Sequence, residues 1–192
     1  VYRAVKNLDG VIYKTKLIYS DYFSNLSHND IYIKPENLQK TGSFKLRGAY
    51  NCISQLSEEQ KAHGVIAASA GNHAQGVAYA AQQLGVKAVI VMPATTPLLK
   101  VEATRAYGAE VVLSGDSFDD AAAKAVELQQ EFNYTFIHPF NDIEVILGQG
   151  TTALEIIDDL KDVDAILVPI GGGGFASGVA LATKMVNPHV KV

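Results

Sequence analysis

Residues 65–76 read VIAASAGNHAQG: an apolar run, a turn of small residues at Ser69, Ala70 and Gly71, then Asn72 and His73 opening a stretch with helical spacing. A short apolar run, a turn and a helix make one βα unit, and the chain repeats that unit onward from here. The runs Val65–Ser69, Lys87–Met92, Glu110–Leu113, Tyr134–Ile137 and Ala165–Ile170 predict strands. Segments His73–Leu84, Leu98–Tyr107, Phe118–Phe132 and Thr152–Leu160 predict the helices between them. Strands buried on both faces read as continuous apolar runs, and helical crossovers set neighbours parallel. The fold class is therefore α/β, with parallel-rich sheets flanked by helices.

The first sixty residues read differently, as part of another layer: an extended stretch Ile31–Lys34, then a helix from about Ser43 to Leu56. At the other end Phe175–Val186 predicts a helix and Val190–Val192 the start of a strand, so the chain is expected to be a fragment. Of its 192 residues 48% are hydrophobic and 19% charged, the balance of a packed domain rather than a disordered one. A net charge of −4 disfavours nucleic acid or an anionic membrane surface as partner. No apolar run approaches the ~20 residues that span a bilayer, and the start lacks a basic-then-apolar leader, so a cytoplasmic location is expected. The single cysteine, Cys52, reads as a small core residue, and the five histidines lack ligand spacing, so no metal site is expected.

Three segments carry chemistry. In the first, Ser69–His73, free backbone N–H groups at a helix start suit a carboxylate or phosphate; the alternative is that Ser69 or Asn72 merely caps the helix. The second is Gly171–Gly174, between an apolar run and the helix at Phe175. Four glycines lose much entropy on ordering and add no packing, which favours a phosphate cradle over a plain turn. Gly171, Gly173 and Ala176 also satisfy the GxGxxA form of a dinucleotide fingerprint, so that alternative stays open. The third is KTGSFKLRGAYN at Lys40–Asn51, with Ser43 the expected N-cap. Lys45 and Arg47 then fall in the first turn, where the helix dipole disfavours cations. Dipole and burial would lower the Lys45 pKa and favour a neutral amine able to attack an aldehyde; the alternative is a solvated lysine tolerating a mild penalty. Together, one such lysine and two anion cradles match a cofactor aldehyde, a cofactor phosphate and a substrate carboxylate. Pyridoxal phosphate with an amino acid presents that set.

With KTGSFKLRGAYN, SAGNHAQGVAYAA, GQGTTALEI and PIGGGG in this order, the chain resembles, over essentially all its length, the threonine dehydratases of the fold type II pyridoxal-phosphate enzymes. The resemblance implies that Lys45 carries pyridoxal 5'-phosphate and that Asn72 hydrogen-bonds its phenolic oxygen. It also implies that Gly171, Gly172, Gly173 and Gly174 bind the phosphate, while Ser69, Ala70, Gly71, Asn72 and His73 hold the substrate carboxylate. The implied reaction is elimination of ammonia from threonine, with serine as second substrate, in a homo-oligomer. Serine racemases share these loops but carry a second serine where this chain has Ala70, so elimination is expected over racemisation. A non-catalytic cofactor- or nucleotide-binding unit is the alternative of another class. The stretch from Glu36 looks closer to the catabolic than to the biosynthetic dehydratases. The resemblance further implies a whole small domain at 38–141, a partial large domain at 1–37 and 142–192, and little activity from these residues alone. Glu155 is expected to be structural, by capping-box spacing from Thr152, and His138, Pro139 and Phe140 to line the pocket.

Overall fold

The computed structural model describes all 192 residues. In chain order they form α1 (Tyr2–Leu8), β1 (Ile18–Tyr19), α2 (Asp21–Ser27), β2 (Tyr32–Ile33), a 3-10 turn (Glu36–Leu38), α3 (Lys45–Ser54), α4 (Glu58–His63) and β3 (Val65–Ala68). There follow α5 (Asn72–Leu84), β4 (Ala88–Met92), α6 (Leu98–Arg105), β5 (Glu110–Leu113), α7 (Phe118–Phe132), β6 (Thr135–Phe136), α8 (Ile143–Asp159) and α9 (Gly174–Val186).

The expected α/β class holds. β5, β4, β3 and β6 make one parallel sheet in that order, with Val65 facing Ala88 on one side and Thr135 on the other. Every residue of β3 and β4 is buried, because the alternating side chains both meet helices. Val65, Ala67, Ala88 and Ile90 join Leu46 and Ile53 of α3 and Val77 and Ala81 of α5 in the main core. Ile66, Ala68, Val89 and Val91 point the other way, onto Ala121 and Ala125 of α7. A third core, at Ala153, Ile156, Ile166, Val179, Ala182 and Val190, joins α8 to α9. The extended stretch near residue 31 forms an antiparallel pair with β1, outside the main sheet. No helix is long and apolar enough to cross a membrane.

Three expectations are corrected. Ala165–Ile170 forms no strand: only Ala165 bridges, in parallel, to Lys191, and without a further neighbour Leu167 and Ile170 lie 90% and 76% exposed. The helix predicted from Thr152 begins at Ile143, where the Asp142 carboxylate accepts the Glu144 and Val145 N–H groups. GQGT therefore lies inside a helix, and Thr152 and Glu155 form no capping box. Nor is Ser43 the N-cap of α3: that is Phe44, although the Ser43 hydroxyl accepts the Lys45 N–H at 3.4 Å.

The mid-helix glycines mark close approach, not turns. A Cβ on Gly148 would lie 2.5 Å from Arg47 O and 2.7 Å from the Gly48 Cα, and one on Gly150 would lie 2.6 Å from Gly178 O. α8 is thus pressed backbone to backbone between α3 and α9. Gly178 sits where a Cβ would run into Ile146 O, so Gly178→Ala should destabilise the full-length protein by about 1–3 kcal/mol, read as a lower denaturant midpoint with an unchanged slope.

Candidate active site

The three chemistry-bearing segments converge, and at none of the three helices they open does the N-cap residue supply a side-chain cap. α2, α4, α7 and α8 have an N-cap Ser or Asp side chain accepting an orphan N–H; the N-cap residues of α3, α5 and α9, like those of α1 and α6, do not. At α5 the Ser69 hydroxyl turns back to accept Gly71 N–H at 3.2 Å, and Asn72, the first helical residue, stands exposed. Neither caps the helix, so its first N–H groups are free for an anion.

α5 lies directly on the start of α3, since a Cβ on Gly76 would come within 3.1 Å of the Lys45 carbonyl carbon. Lys45 Nζ donates to Pro139 O at 2.6 Å, and its half-buried setting pushes its pKa down, which favours the neutral amine. The Phe44 and Phe175 rings stack at 3.9 Å, joining the residue before Lys45 to the residue after the glycine loop. His73 is buried, and its Nε2–H donates to Ile137 O at 2.8 Å. Burial, helped by the nearby Lys45 and His138, pushes the His73 pKa down to about 4, so the ring is neutral, and its Nδ1 has no partner.

The glycine loop has more steric reason for its composition than sequence suggests. Gly173 has φ +87, a Cβ on Gly174 would sit 2.6 Å from Phe140 O, and one on Gly172 would overlap the Phe140 ring. Gly171 alone is unconstrained, with nothing near its Cβ position. The loop leads into α9 with Gly173 as a bare N-cap, which leaves open space beside unpaired N–H groups. That cradle fits a phosphate, and the aldehyde of the same ligand would require an amine such as Lys45. His138, Pro139 and Phe140 do line this region, as expected. The composition of the set fits pyridoxal phosphate.

What sequence reading missed lies beneath the site. Arg47, two residues after Lys45, is fully buried and spends all five donors. Nε and Nη2 grip Glu36 at 2.8 Å each, Nη1 and Nη2 grip Glu155 at 2.6 and 2.9 Å, and Nη1 also reaches the Thr151 hydroxyl at 3.1 Å. Lys34 adds a second cation on Glu155 at 2.6 Å, and Thr15 Oγ1 donates to Glu36 at 2.7 Å. Glu155 is indeed structural, but as an ion-pair partner. Burial alone would raise the Glu36 pKa; the Arg47 guanidinium and the Thr15 hydroxyl outweigh it and hold the carboxyl below its ordinary value. Cys52 is a core residue as expected, its thiol pushed up to about 12 by burial and by Asp142 and Glu144.

The sequence profile of the family described as pyridoxal-phosphate dependent enzymes matches residues 8–192. The chain belongs to the pyridoxal-phosphate dependent enzymes. It is 55% identical over 189 residues to an L-threonine ammonia-lyase of Thermotoga maritima, covering 98% of this chain and 47% of that protein. Its fold superposes on the processed form of threonine deaminase isoform 2 from Solanum lycopersicum with a TM-score of 0.95 at 46% identity, covering 99% of this chain and 53% of that one. Maize serine racemase gives a TM-score of 0.96 at 38% identity, over 98% and 57%. The chain spans about half the length of the relatives it matches. These matches bear out the fold type II architecture and leave pyridoxal phosphate as the family's cofactor.

Removing Arg47 would leave Glu36 without its paired cation and Glu155 with Lys34 alone, so Arg47→Leu should cost the full-length protein about 3–5 kcal/mol in denaturant unfolding. Glu36 titrates lower in the fold than in the unfolded chain. Its stabilisation is therefore complete above the ordinary carboxylate range and is lost as pH falls through its depressed pKa. Glu36→Gln should flatten that part of the acid-unfolding curve.

Proposed function

We propose that the full-length protein is a threonine dehydratase, converting L-threonine to 2-oxobutanoate and ammonia and accepting serine as a second substrate. The observation that carries this reading is Lys45: a half-buried amine with a lowered pKa, held at Pro139 O beside the uncapped start of α9. Pyridoxal phosphate, when bound, supplies the electron sink that allows a proton and then a β-hydroxyl to leave an amino acid. Lys45 would hold the cofactor through Nζ and, once released, take the α-proton at the same nitrogen. Gly171–Gly174 and the first N–H groups of α9 would bind the phosphate, and Asn72 the phenolic oxygen. The start of α5, Ser69–His73, would hold the substrate carboxylate by the same helix-terminus physics.

A racemase of this fold is the second reading, favoured by the match to maize serine racemase. Ala70 argues against it, because its methyl group can neither donate nor accept a proton on the opposite side of the substrate. We place the chain's segments in a small domain at 38–141 and a large domain built partly from 1–37 and 142–192. We also propose a cytoplasmic homo-oligomer.

Two measurements test the reading. With added pyridoxal phosphate the full-length protein should form a 2-oxo acid from threonine, and Lys45→Ala should lower that rate by on the order of 10³-fold; a variant that keeps wild-type turnover would contradict the assignment. Ala70→Ser should raise serine racemisation relative to dehydration, whereas an unchanged ratio would remove Ala70 as the deciding position.

A further inference from the structure

The turn His138–Asn141 touches both Lys45 and the glycine loop, and one imidazole folds it. His138 Nδ1 accepts the Phe140 N–H at 3.2 Å and the Asn141 N–H at 2.7 Å. Backbone N–H groups only donate, so this nitrogen is unprotonated and the ring proton sits on Nε2. The His138 ring also meets the Phe140 ring edge to face at 4.7 Å, fixing the side chain that lies against Gly172 and Gly174. In the same turn, Pro139 O accepts from Lys45 Nζ, and Ile137 O, just before the turn, accepts from His73.

We propose that His138 is a positioning residue for the cofactor site: its bare Nδ1 folds the turn that presents Pro139 O to Lys45 and seats Phe140 against the glycine loop, so that protonating this one ring loosens both ends together. A proton on Nδ1 would point at two N–H groups, cancelling both hydrogen bonds at once. The charged and titratable groups facing the ring are Asp142 at the start of α8, Lys45 on α3 and the neutral His73 on α5. Burial lowers the His138 pKa below its ordinary value, Asp142 opposes this, and Lys45 adds to it. The neutral ring is therefore the form the fold selects. The turn is intact above the ordinary histidine range and opens as pH falls through the depressed value.

The proposal rests on the reading of Lys45 and Gly171–Gly174 as the cofactor site, and the test separates the two. Pyridoxal phosphate affinity of the full-length protein is measured across pH for wild type, His138→Asn and His138→Ala, with thermal midpoints alongside. Asparagine offers a non-titrating oxygen near the position of Nδ1. It should match wild type within about two-fold at pH 8 and escape the acid loss, which in wild type approaches roughly ten-fold per pH unit below the titration. His138→Ala should bind weakly at both ends of the range. An acid loss as large in His138→Asn as in wild type, or wild-type affinity in His138→Ala, overturns the proposal. Wild type that takes up no pyridoxal phosphate at any pH overturns the cofactor reading beneath it. Should the variants not fold, imidazole ¹H–¹⁵N correlations of the unsubstituted protein, with His138 assigned through its contact with the Phe140 ring, decide it. An Nε2–H tautomer titrating below the ordinary range supports the proposal, and an Nδ1–H tautomer overturns it.

Discussion

The grip of Arg47 on Glu36 and Glu155 is the constraint on which the rest of the site depends. It joins residues 108 positions apart, and it sits two residues along α3 from Lys45, the amine proposed to hold the cofactor. Arg47 and Lys34 balance Glu36 and Glu155, so the cluster is neutral as a whole, although Arg47 itself is fully buried. A buried network of this kind gives little net stability over an apolar replacement, while losing one member leaves a charge without a partner. Its effect is geometric. With every guanidinium donor engaged, α3 has one position against α8 and the 34–36 segment, and Lys45 inherits that position.

Glycine backbone contacts complete what the ion pairs begin. Gly48 meets Gly148, and Gly150 meets Gly178, so α3, α8 and α9 approach backbone to backbone at these points, with the Gln149 side chain accepting the Gly48 N–H. The start of α9, which follows the glycine loop, is thereby registered to the start of α3, which carries Lys45. The Phe44–Phe175 stack and the Phe140 contact with Gly172 close the same distance from the solvent side. The turn at His138 lies outside helix packing and the clamp, and its local hydrogen bonds are the two that the His138 Nδ1 accepts.

Much of this was legible in the sequence, for identifiable reasons. β5 and α7 fall on the expected residues because a strand between Gly108 and Gly115 and a helix between a Ser117 capping box and a left-handed Asn133 have strong local boundaries. The strand expected at Ala165–Ile170 lacks a partner along most of its length, and propensity alone does not make a ladder. The early start of α8 was hidden because glycines inside a helix look like a turn until the neighbouring backbone is seen. The clamp was hidden too, since nothing local ties Glu36 and Glu155 to Arg47. Its only signal was an arginine two residues after Lys45 in the first turn of α3, where the dipole disfavours cations. Of the glycine loop the sequence conveyed the composition but not the cause, which for Gly172 and Gly174 is Phe140.

The central claim is that Lys45, and no other lysine, is the amine that the clamp and the helix starts have been arranged around. The most direct measurement is to load the full-length protein with pyridoxal phosphate, reduce it with borohydride, digest it and locate the pyridoxyl group by mass spectrometry. The account predicts label in the peptide containing Phe44–Arg47, on Lys45. Label confined to Lys40 or to any other lysine would contradict it.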